Sequence, residues 1–586
     1  MSATLMDGEP APKPCEKRQA ILDAAGHCLV LGGPGSGKTT LALKKALKRI
    51  YEGLLPGRAI LFLSFSRSAV ARIADAAKNE LAGADGALFS IQTFHSFFWQ
   101  ILQAHGYLLG SPRNLTVVQS HEEASLRGGI GEGDPKWGEW LVKRRDLFHK
   151  EGRVCFDLFA PLTAELFSKC ERIRCRYGQR YAMIIVDEAQ DTNSSQWEVV
   201  RLLAPTTQIV CLADPDQMIY GHLPGVSVER VPTIRQCLDP CEADLGSENN
   251  RSPGTDIATL ARDIFTRNHR KHKYKGVSVF TFKRDVASRD KAIRRSVGYL
   301  RNLITEETGT APESIAVLTT YGAGVARVSA ALQQDKAIPH QVLFDESFVL
   351  LSARAAAFLL EPRADLCAST EVVTLLDLAA AAYSARGTAT ARKESVRLRN
   401  YAIQISQGKK VSFKPVVGAR TALEAAAARS SHGNPRRDWL EVKEVLRSCG
   451  DGLLSDMAAN LDYLVAFARG KRIGEALSEL WLTHGAYVGA RAALDIALMQ
   501  DQLLSAGEPL AGLHVMNVHK AKGKQFDGVV LYRQEHDSPF VWRGEPAPFE
   551  QGRRLLHMSL TRARKHVLIL NEAFPACPIV KAHKLV

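Results

Sequence analysis

The stretch CLVLGGPGSGKTT, from Cys28 to Thr40, decides the fold of this chain. Its apolar start, Cys28–Leu31, predicts a short buried strand, and residues 32–39 then satisfy the pattern G-x-x-x-x-G-K-[ST]. Glycines in this pattern let successive backbone N–H groups turn towards a phosphate, and the helix that follows directs the positive end of its dipole at the same anion. The next residues, LALKKALKRI, are helix-forming. The sequence therefore predicts a strand, a phosphate-binding loop and a helix that together bind a nucleoside triphosphate.

The pattern also assigns roles within this loop. The Lys38 ammonium is expected to reach the β and γ phosphates, and the Thr39 hydroxyl to ligate Mg²⁺. A glycine-rich turn without a ligand is the alternative, but it does not explain why an apolar strand, the full motif and a helix-forming segment coincide. The residues expected to contact the nucleotide here are Gly32, Gly33, Pro34, Gly35, Ser36, Gly37, Lys38, Thr39 and Thr40.

Composition limits what such a protein acts on. The chain of 586 residues is long enough for about four domains, and its hydrophobic content of 46% supports packed cores. A net charge of +14 and a pI near 9.2 favour a polyanionic partner. No segment has the apolar length of a signal peptide or a membrane span, so we expect a cytoplasmic protein without a membrane partner. The eleven cysteines show no C-x-x-C spacing, which favours reduced thiols over a structural metal site.

A second apolar run delivers two adjacent carboxylates. Residues 183–186, MIIV, predict a buried strand, and Asp187 and Glu188 follow directly. Asp187 is placed to hold Mg²⁺, and Glu188 to polarise the attacking water. A strand that ends in Asp-Glu is common, but together with the phosphate-binding loop it indicates a nucleotide hydrolase.

Polar and aromatic groups stand at two further strand ends and on the first helix. The run AILFLSFS leads to Phe65 and Arg67, and another predicted strand leads to Thr93, His95 and two phenylalanines. Such groups suit a single-stranded nucleic acid site, where side chains contact phosphates and stack on bases. A hydrophobic cluster under a loop explains the aromatic residues equally well, so both interpretations stay open. Gln19, upstream of the phosphate-binding loop, carries a carboxamide that is able to pair with adenine.

The segments VDEAQDTNSSQW (186–197) and LADPDQMIYG (212–221) resemble motifs II and III of superfamily 1 helicases of the UvrD/Rep/PcrA type. Helicases of that type are ATP-driven motors that move 3′ to 5′ along single-stranded DNA on two RecA-like domains. The resemblance implies an α/β fold with two RecA-like P-loop NTPase domains and mainly helical insertions, and it implies ATP and Mg²⁺ as cofactors.

Weaker signals in the first half gain meaning from this resemblance. Gln19 resembles the glutamine of the Q motif, and the residues around Phe65 and Arg67 resemble motif Ia. The segment from Thr93 to Phe98, which includes His95, resembles motif Ib. In motif III, Gln217 resembles the glutamine that senses the γ phosphate, and Tyr220 is the motif III tyrosine near DNA.

The second half contains segments similar to the remaining motifs. The segment NNRS (249–252) resembles motif IV and implies that Arg251 contacts the γ phosphate. The segment 517–531 resembles motif V, with His519 and Lys520 near DNA and with Gly523 and Gln525 near the nucleotide. The segment 553–570 resembles motif VI, with Arg562 as an arginine finger. The residues implied to be catalytic are Lys38, Asp187, Glu188, Gln217, Arg251 and Arg562, with Thr39 and Asp187 as metal ligands.

Three positions depart from the family pattern. The tryptophan and arginine that usually follow the motif III tyrosine are replaced by residues 221–225, GHLPG, which removes one base-stacking platform. Motif V has Lys524 and Gln525 where Leu-Glu is usual, so an amide replaces a carboxylate. Asn250 stands where a tyrosine usually stacks on adenine, which predicts weaker nucleotide affinity and poorer discrimination among purine triphosphates.

These segments predict the following domain order along the chain. The first RecA-like domain comprises 1–105 and 179–240, interrupted by a helical insertion at 106–178. The second comprises 241–350 and 511–586, interrupted by a helical accessory insertion at 351–510.

We expect an ATP-dependent DNA helicase or single-stranded DNA translocase that acts on single-stranded or tailed DNA, with 3′–5′ polarity and a role in DNA repair or phage defence. One alternative is a DNA-stimulated ATPase that senses nucleic acid and regulates a partner nuclease without unwinding. Another is a non-catalytic binding module, which the intact phosphate-binding loop and carboxylates disfavour.

Overall fold

A computed structural model describes residues 16–65, 70, 73–74, 77, 88–118, 123, 126–127, 130, 134–217, 229–246, 250–270, 273–334, 336–343, 347–363, 369–386, 389–461, 471–504 and 511–583. The chain divides into two compact units. The first unit is drawn from the ranges Met1–Leu109, Phe159–Leu343 and Pro509–Val586, and the second from Gly110–Leu158 and Phe344–Glu508.

The strands, in chain order, are β1 (Cys28–Leu31), β2 (Ala59–Ser64), β3 (Phe89–Thr93), β4 (Thr116–Val118), β5 (Arg153–Cys155), β6 (Tyr181–Val186), β7 (Gln208–Ala213), β8 (Cys241–Asp244), β9 (Val277–Phe282), β10 (Ser314–Thr319), β11 (Gln341–Leu343), β12 (Gly512–Asn517), β13 (Phe526–Arg533) and β14 (Ala563–Glu572).

The α-helices are α1 (Glu16–Asp23), α2 (Lys38–Tyr51), α3 (Phe94–His105), α4 (Trp137–Asp146), α5 (Phe159–Lys169), α6 (Glu171–Arg180), α7 (Ser194–Leu203), α8 (Arg230–Leu238), α9 (Ile257–Thr266), α10 (Val286–Thr308), α11 (Gly322–Gln333), α12 (Ser347–Leu360), α13 (Ser369–Ala385), α14 (Ala389–Ser406), α15 (Lys414–Ala428), α16 (Pro435–Ser448), α17 (Gly452–Asn460), α18 (Lys471–His484), α19 (Ala490–Leu504), α20 (Val518–Ala521), α21 (Glu550–Leu560) and α22 (Pro578–Ala582). Short 3₁₀ turns span Gly106–Leu109, Phe156–Leu158, Ala189–Asp191, Ala204–Thr206 and Pro215–Gln217, and a π turn spans Leu147–Glu151.

The first sheet has the order β3-β2-β6-β7-β1-β8 and is parallel throughout. Its central strands β6 and β7 are almost wholly apolar and buried, as expected for a parallel sheet covered on both faces. Because parallel strands end at the same edge of a sheet, β1, β6 and β7 bring the residues that follow them together. These residues are the phosphate-binding loop (32–39), Asp187 and Asp214.

The second sheet has the order β11-β12-β10-β13-β14-β9 and is also parallel. Its core is a cluster of buried side chains that includes Phe526, Met516 and Leu556. The loop that precedes β13 and the turn that precedes β14 lie at one edge, because Phe526 and Ala563 are paired in register. The expected fold class, two α/β domains of RecA-like type with mainly helical insertions, is confirmed.

Two features of the predicted domain order differ from the structure. Strand β8 pairs with β1 in the register Cys28↔Cys241, so Cys241–Asp244 belong to the first sheet and not to the second domain, where the prediction placed them. The sequence of β8, CEAD, is mostly polar because this strand lies at the sheet edge, and it therefore lacks an apolar strand signal. The insertion expected to be helical also contains the parallel pair β4–β5. The other boundaries stay predictions.

The second unit contains helices α12 to α19 around a core rich in alanine and leucine. On α13, Ala379, Ala380 and Ala382 are fully buried, which allows neighbouring helices to approach closely. In the part of the chain that the structure describes, no helix combines the length and apolar character needed to cross a membrane.

A buried carboxylate connects three segments of this unit. Asp438 on α16 is fully buried and accepts hydrogen bonds from Arg429 Nη1 at 3.0 Å, from the backbone N–H of His432 at 2.9 Å and from the Tyr487 hydroxyl at 2.5 Å. A buried charge is costly unless such partners surround it, so the three contacts depend on one another.

We predict that Asp438→Ala lowers the free energy of unfolding of the second unit by about 3 kcal/mol, because removing one partner of a buried charge pair leaves the others unsatisfied. The measurement is the opening free energy from amide hydrogen exchange in α16. Glu444→Ala is the control on the same helix, since its ion pair with Arg447 is exposed, and we expect a change below about 1 kcal/mol. Equal losses in the two variants would contradict this role for Asp438.

Candidate functional site

The phosphate-binding loop (32–39) joins β1 to α2. It contains glycines whose backbone conformation would be strained in any other residue. Gly35 and Gly37 have φ angles of +80° and +87°, which L side chains rarely adopt. A Cβ on Gly35 would lie 2.8 Å from Cβ and 3.0 Å from the backbone N of Arg251. The backbone N–H of Asn250 also donates to the Gly35 carbonyl at 3.0 Å. Gly35 is therefore required because the segment 250–251 packs directly on the loop.

Two groups of the loop suit a bound anion. The Lys38 ammonium donates to the carbonyls of Gly32 and Gly33 and lies 3.9 Å from Oδ2 of Asp214. The Ser36 hydroxyl is buried and has no hydrogen-bond partner among the described residues. An unsatisfied buried donor is costly, and a phosphate oxygen at this loop would satisfy it.

The loop opens into a cavity of about 330 Å³ in the first unit. This volume is in the range of small-molecule sites. Residues from both halves of the first unit line it, and most of them are polar. They are Pro34, Gly35, Ser36, Gly37, Lys38, Thr39, Thr40, Leu43, Ile73, Asp187, Glu188, Asp214, Asn250, Arg251, Gly523, Gln525 and Arg562. The structure thus brings together most of the residues predicted to contact the nucleotide and, among the residues predicted to be catalytic, Lys38, Asp187, Glu188, Arg251 and Arg562.

The two carboxylates at the end of β6 have different surroundings. Asp187 is buried and accepts a hydrogen bond from the Ser64 hydroxyl at 3.3 Å. Glu188 has a φ of +51°, a strained conformation for a residue with a Cβ. Gln190 holds it there, since its Nε2 donates to the Glu188 carboxylate at 2.7 Å while its Oε1 accepts from the Asp214 backbone N–H at 3.0 Å.

Cations around Glu188 determine its charge. Burial alone would raise the pKa of Glu188, but Lys522, Lys38, the Gln190 amide and Arg562 together outweigh burial and hold this pKa below its usual value. Glu188 is therefore ionised at neutral pH. The neighbouring Asp214 behaves differently, because burial raises its pKa to about 6.

The second sheet contributes a further cation to the site. Lys522, in the loop before β13, pairs with Asp191, the last residue of the 3₁₀ turn Ala189–Asp191. Burial raises the pKa of Asp191, and Lys522 partly counteracts this rise. The pair joins the two sheets directly beside Glu188.

Both arginines of the cavity depend on the turn after α21. Arg562 is buried and donates from Nε to the Met558 carbonyl at 2.9 Å and from Nη2 to the Thr561 hydroxyl at 3.1 Å. Arg251 donates from Nη1 to the Thr561 carbonyl at 2.9 Å. Two guanidinium groups from distant parts of the sequence thus reach the cavity beside the same residue.

The cavity offers hard oxygen ligands of the kind that Mg²⁺ prefers. The Thr39 hydroxyl and the Asp187 carboxylate both belong to residues that line it. Asp187 is buried, and a buried negative charge is costly unless a cation lies close to it. The oxygen atoms of Thr39 and Asp187 therefore fit the Mg²⁺ that the sequence predicts.

Gln19 does not line the cavity around the phosphate-binding loop, and its contact with adenine stays a prediction. Its Nε2 donates to Asp23 one turn further along α1 at 2.8 Å. Its neighbour Arg18 contacts the phosphate-binding loop instead, donating from Nη2 to the Ser36 carbonyl at 3.2 Å. No aromatic side chain is found among the described residues that line the cavity, so nothing there replaces the tyrosine missing at Asn250.

The described candidate DNA contacts, Phe65, Thr93, His95, His519 and Lys520, do not line this cavity. Phe65 is half-buried against Phe94 at a centroid distance of 4.8 Å. The Thr93 hydroxyl accepts from the Ser96 backbone N–H and so caps α3, whereas His95 is exposed. The two phenylalanines that follow, Phe97 and Phe98, are buried, so for them the hydrophobic-cluster interpretation is correct.

The remaining candidates are only partly described. His519 and Lys520 lie on α20, where Lys520 is exposed. Gln217 ends a 3₁₀ turn, and its side chain is outside the described part of the structure. Arg67 and Tyr220 fall outside the described residues altogether.

Sequence reasoning missed four residues of the site, namely Arg18, Gln190, Asp214 and Lys522. Asp214 follows an apolar strand just as Asp187 does, and that signal was sufficient to find it. Gln190 and Lys522 act through contacts that no local pattern reveals.

We predict that Gly35→Ala weakens ATP binding by about tenfold or more, because the added Cβ combines backbone strain with a clash against Arg251. The measurement is the dissociation constant for ATP. Gly57→Ala is the matched control, since Gly57 has a φ of +79° and no atom lies within 4 Å of the position that a Cβ would take there. If both variants bind ATP equally well, the close approach at Gly35 is unimportant.

Comparison with known proteins agrees with this arrangement. The UvrD/REP helicase N-terminal domain matches residues 15–136 and 132–226, and the UvrD-like helicase C-terminal domain matches residues 512–570. The two matched regions contain the phosphate-binding loop, the two carboxylates and Arg562.

Individual relatives carry similar names. DNA helicase II of Haemophilus influenzae is 24% identical over 635 aligned positions, covering 94% of this chain and 83% of that protein. ATP-dependent DNA helicase Rep of Escherichia coli is 26% identical over 41% of each chain. ATP-dependent DNA helicase PcrA of Staphylococcus epidermidis is 24% identical over 43% of this chain and 40% of its own length. With two parallel α/β sheets, a cavity formed by the segments that resemble the helicase motifs and these matches, the chain is similar to helicases of the UvrD/Rep type in both of its sheet-forming regions.

Proposed function

We propose that this chain hydrolyses ATP in the described cavity and uses the energy to move 3′ to 5′ along single-stranded DNA, separating tailed duplexes. One observation carries the proposal. The cavity is lined on one side by the phosphate-binding loop and carboxylates of the first sheet, and on the other by Gly523, Gln525 and Arg562 of the second. A nucleotide bound there would contact both sheets, so its hydrolysis would change how they interact.

The residues of the cavity divide the chemistry among them. Lys38, Arg251 and Arg562 place positive charge where negative charge develops on the transferred phosphoryl group. Ionised Glu188, oriented by Gln190, accepts a proton from the attacking water. Mg²⁺, held by Thr39 and Asp187, would neutralise charge on the phosphates.

A short segment of the second sheet links this chemistry to DNA. His519 and Lys520, the candidate DNA contacts of motif V, precede Lys522 by two or three residues. Lys522 pairs with Asp191 and is the strongest cationic influence on Glu188. DNA that moves this segment would therefore change the electrostatic surroundings of Glu188, which supports a DNA-stimulated ATPase.

Several features support DNA as the partner. The net charge of +14 favours a polyanion, and the relatives named above are called DNA helicases. A role in DNA repair or phage defence, with a partner nuclease or repair protein, belongs to the same proposal.

We predict that Lys38→Ala abolishes ATP turnover and weakens ATP binding, because the ammonium contacts the phosphates in the ground state and the transition state alike. Glu188→Gln should lower turnover by about 10²-fold or more while ATP remains bound, because the carboxylate acts only on the attacking water. Turnover with and without single-stranded DNA is the measurement.

Lys48→Ala serves as the control for these variants, since Lys48 lies on the same helix but is exposed and paired with Asp23. Its turnover should equal that of the parent. Hydrolysis that persists in both the Lys38 and the Glu188 variants would refute the site assignment.

We further predict that unwinding requires a 3′ tail and that affinity for single strands falls steeply with salt, with little dependence on base sequence. Strand displacement on 3′-tailed and 5′-tailed duplexes tests direction, and binding at several salt concentrations tests the phosphate contacts. A preference for 5′ tails would contradict the proposed polarity. DNA-stimulated hydrolysis without strand separation on either substrate would favour a sensor that regulates a partner nuclease.

A further inference from the structure

Gln525 lies beside Arg251 at the edge of the cavity. With its carboxamide oxygen turned towards the arginine, Gln525 accepts from Nε at 3.0 Å and from Nη2 at 3.2 Å. The guanidinium also donates a hydrogen bond from Nη1 to the Thr561 carbonyl at 2.9 Å. Because the guanidinium is planar, acceptors on two of its edges fix the orientation of the whole group.

The main chain of Arg251 is fixed from the opposite side. Its Cα and Cβ pack against Gly35, and the preceding N–H of Asn250 donates to the Gly35 carbonyl. The first sheet thus places the backbone of Arg251, and the second sheet, through Gln525 and Thr561, places its charged end.

We propose that Gln525 is a positioning residue: it holds the Arg251 guanidinium towards the terminal phosphate and so sets how well the site distinguishes a nucleoside triphosphate from a diphosphate. This role differs from the direct nucleotide contact that the sequence predicts for Gln525. The inference rests on the proposed function, because it takes the cavity to be the ATP site. An amide suffices for the role, since the guanidinium needs an acceptor oxygen and not a second charge.

The test compares binding of ATP and ADP, each with Mg²⁺, in a Glu188→Gln background that slows hydrolysis. Gln525→Leu, which lacks the acceptor, should weaken ATP binding by about tenfold and change ADP binding by less than about twofold. Gln525→Glu keeps an acceptor oxygen and should restore most of the ATP affinity. Gln407→Leu, at an exposed position in the second unit, is the control and should bind both nucleotides as the parent does.

A double variant separates positioning from direct contact. If Gln525 acts through Arg251, then Arg251→Ala with Gln525→Leu should bind ATP no more weakly than Arg251→Ala alone. Additive losses would overturn the proposal, because they would mean that Gln525 contacts the nucleotide independently. Equal losses for ATP and ADP in Gln525→Leu would overturn it as well. If Gln525→Leu does not fold, Gln525→Ala replaces it under the same criteria. A parent that binds neither nucleotide would instead refute the proposed function and this inference together.

Discussion

The close approach of Arg251 to Gly35 is the contact on which the rest of the site depends. A backbone hydrogen bond from Asn250 and van der Waals contact with Arg251 hold the segment 250–251 against the phosphate-binding loop, and only a glycine leaves room for it. From this fixed point the Arg251 side chain extends to Thr561, in the turn that also orients Arg562. Because Gly35 has no side chain, residues more than 500 positions apart in the sequence are able to line the same cavity.

Charge balance imposes a second constraint on the same region. Asp187, Asp191 and Asp214 are buried, and carboxylates in such surroundings are costly unless cations lie close by. Lys38 comes from the first sheet, whereas Lys522 and Arg562 come from the second. Because each sheet supplies charges that the other needs, the electrostatic stability of the site depends on the contact between the sheets. That dependence is what a motor that moves one domain against the other requires.

Patterns confined to one strand or one loop predicted most of the fold and the centre of the site. Apolar runs predict the strands that precede Lys38 and Asp187. Because parallel strands end at the same edge of a sheet, the sequence alone predicted that these two side chains lie close together. The contact of Arg18 with the loop was not predicted, because a helix of eight residues with a weak apolar face does not reveal which side meets the loop. Contacts between distant segments were missed for another reason. Lys522 and Asp191 are 331 residues apart, and neither residue type is unusual where it stands.

The order of strands in the second sheet has a consequence for synthesis of the chain. Strand β10, Ser314–Thr319, is wholly buried between β12 and β13, yet both neighbours begin only at Gly512 and Phe526. At translation rates of about 5–20 residues per second, β10 leaves the ribosome about 10–40 s before either neighbour exists. For that time an apolar strand has two unpaired edges, which are templates for association with other chains. The long insertion between β11 and β12 thus leaves both edges of β10 without their partners until residues 512–533 have been synthesised.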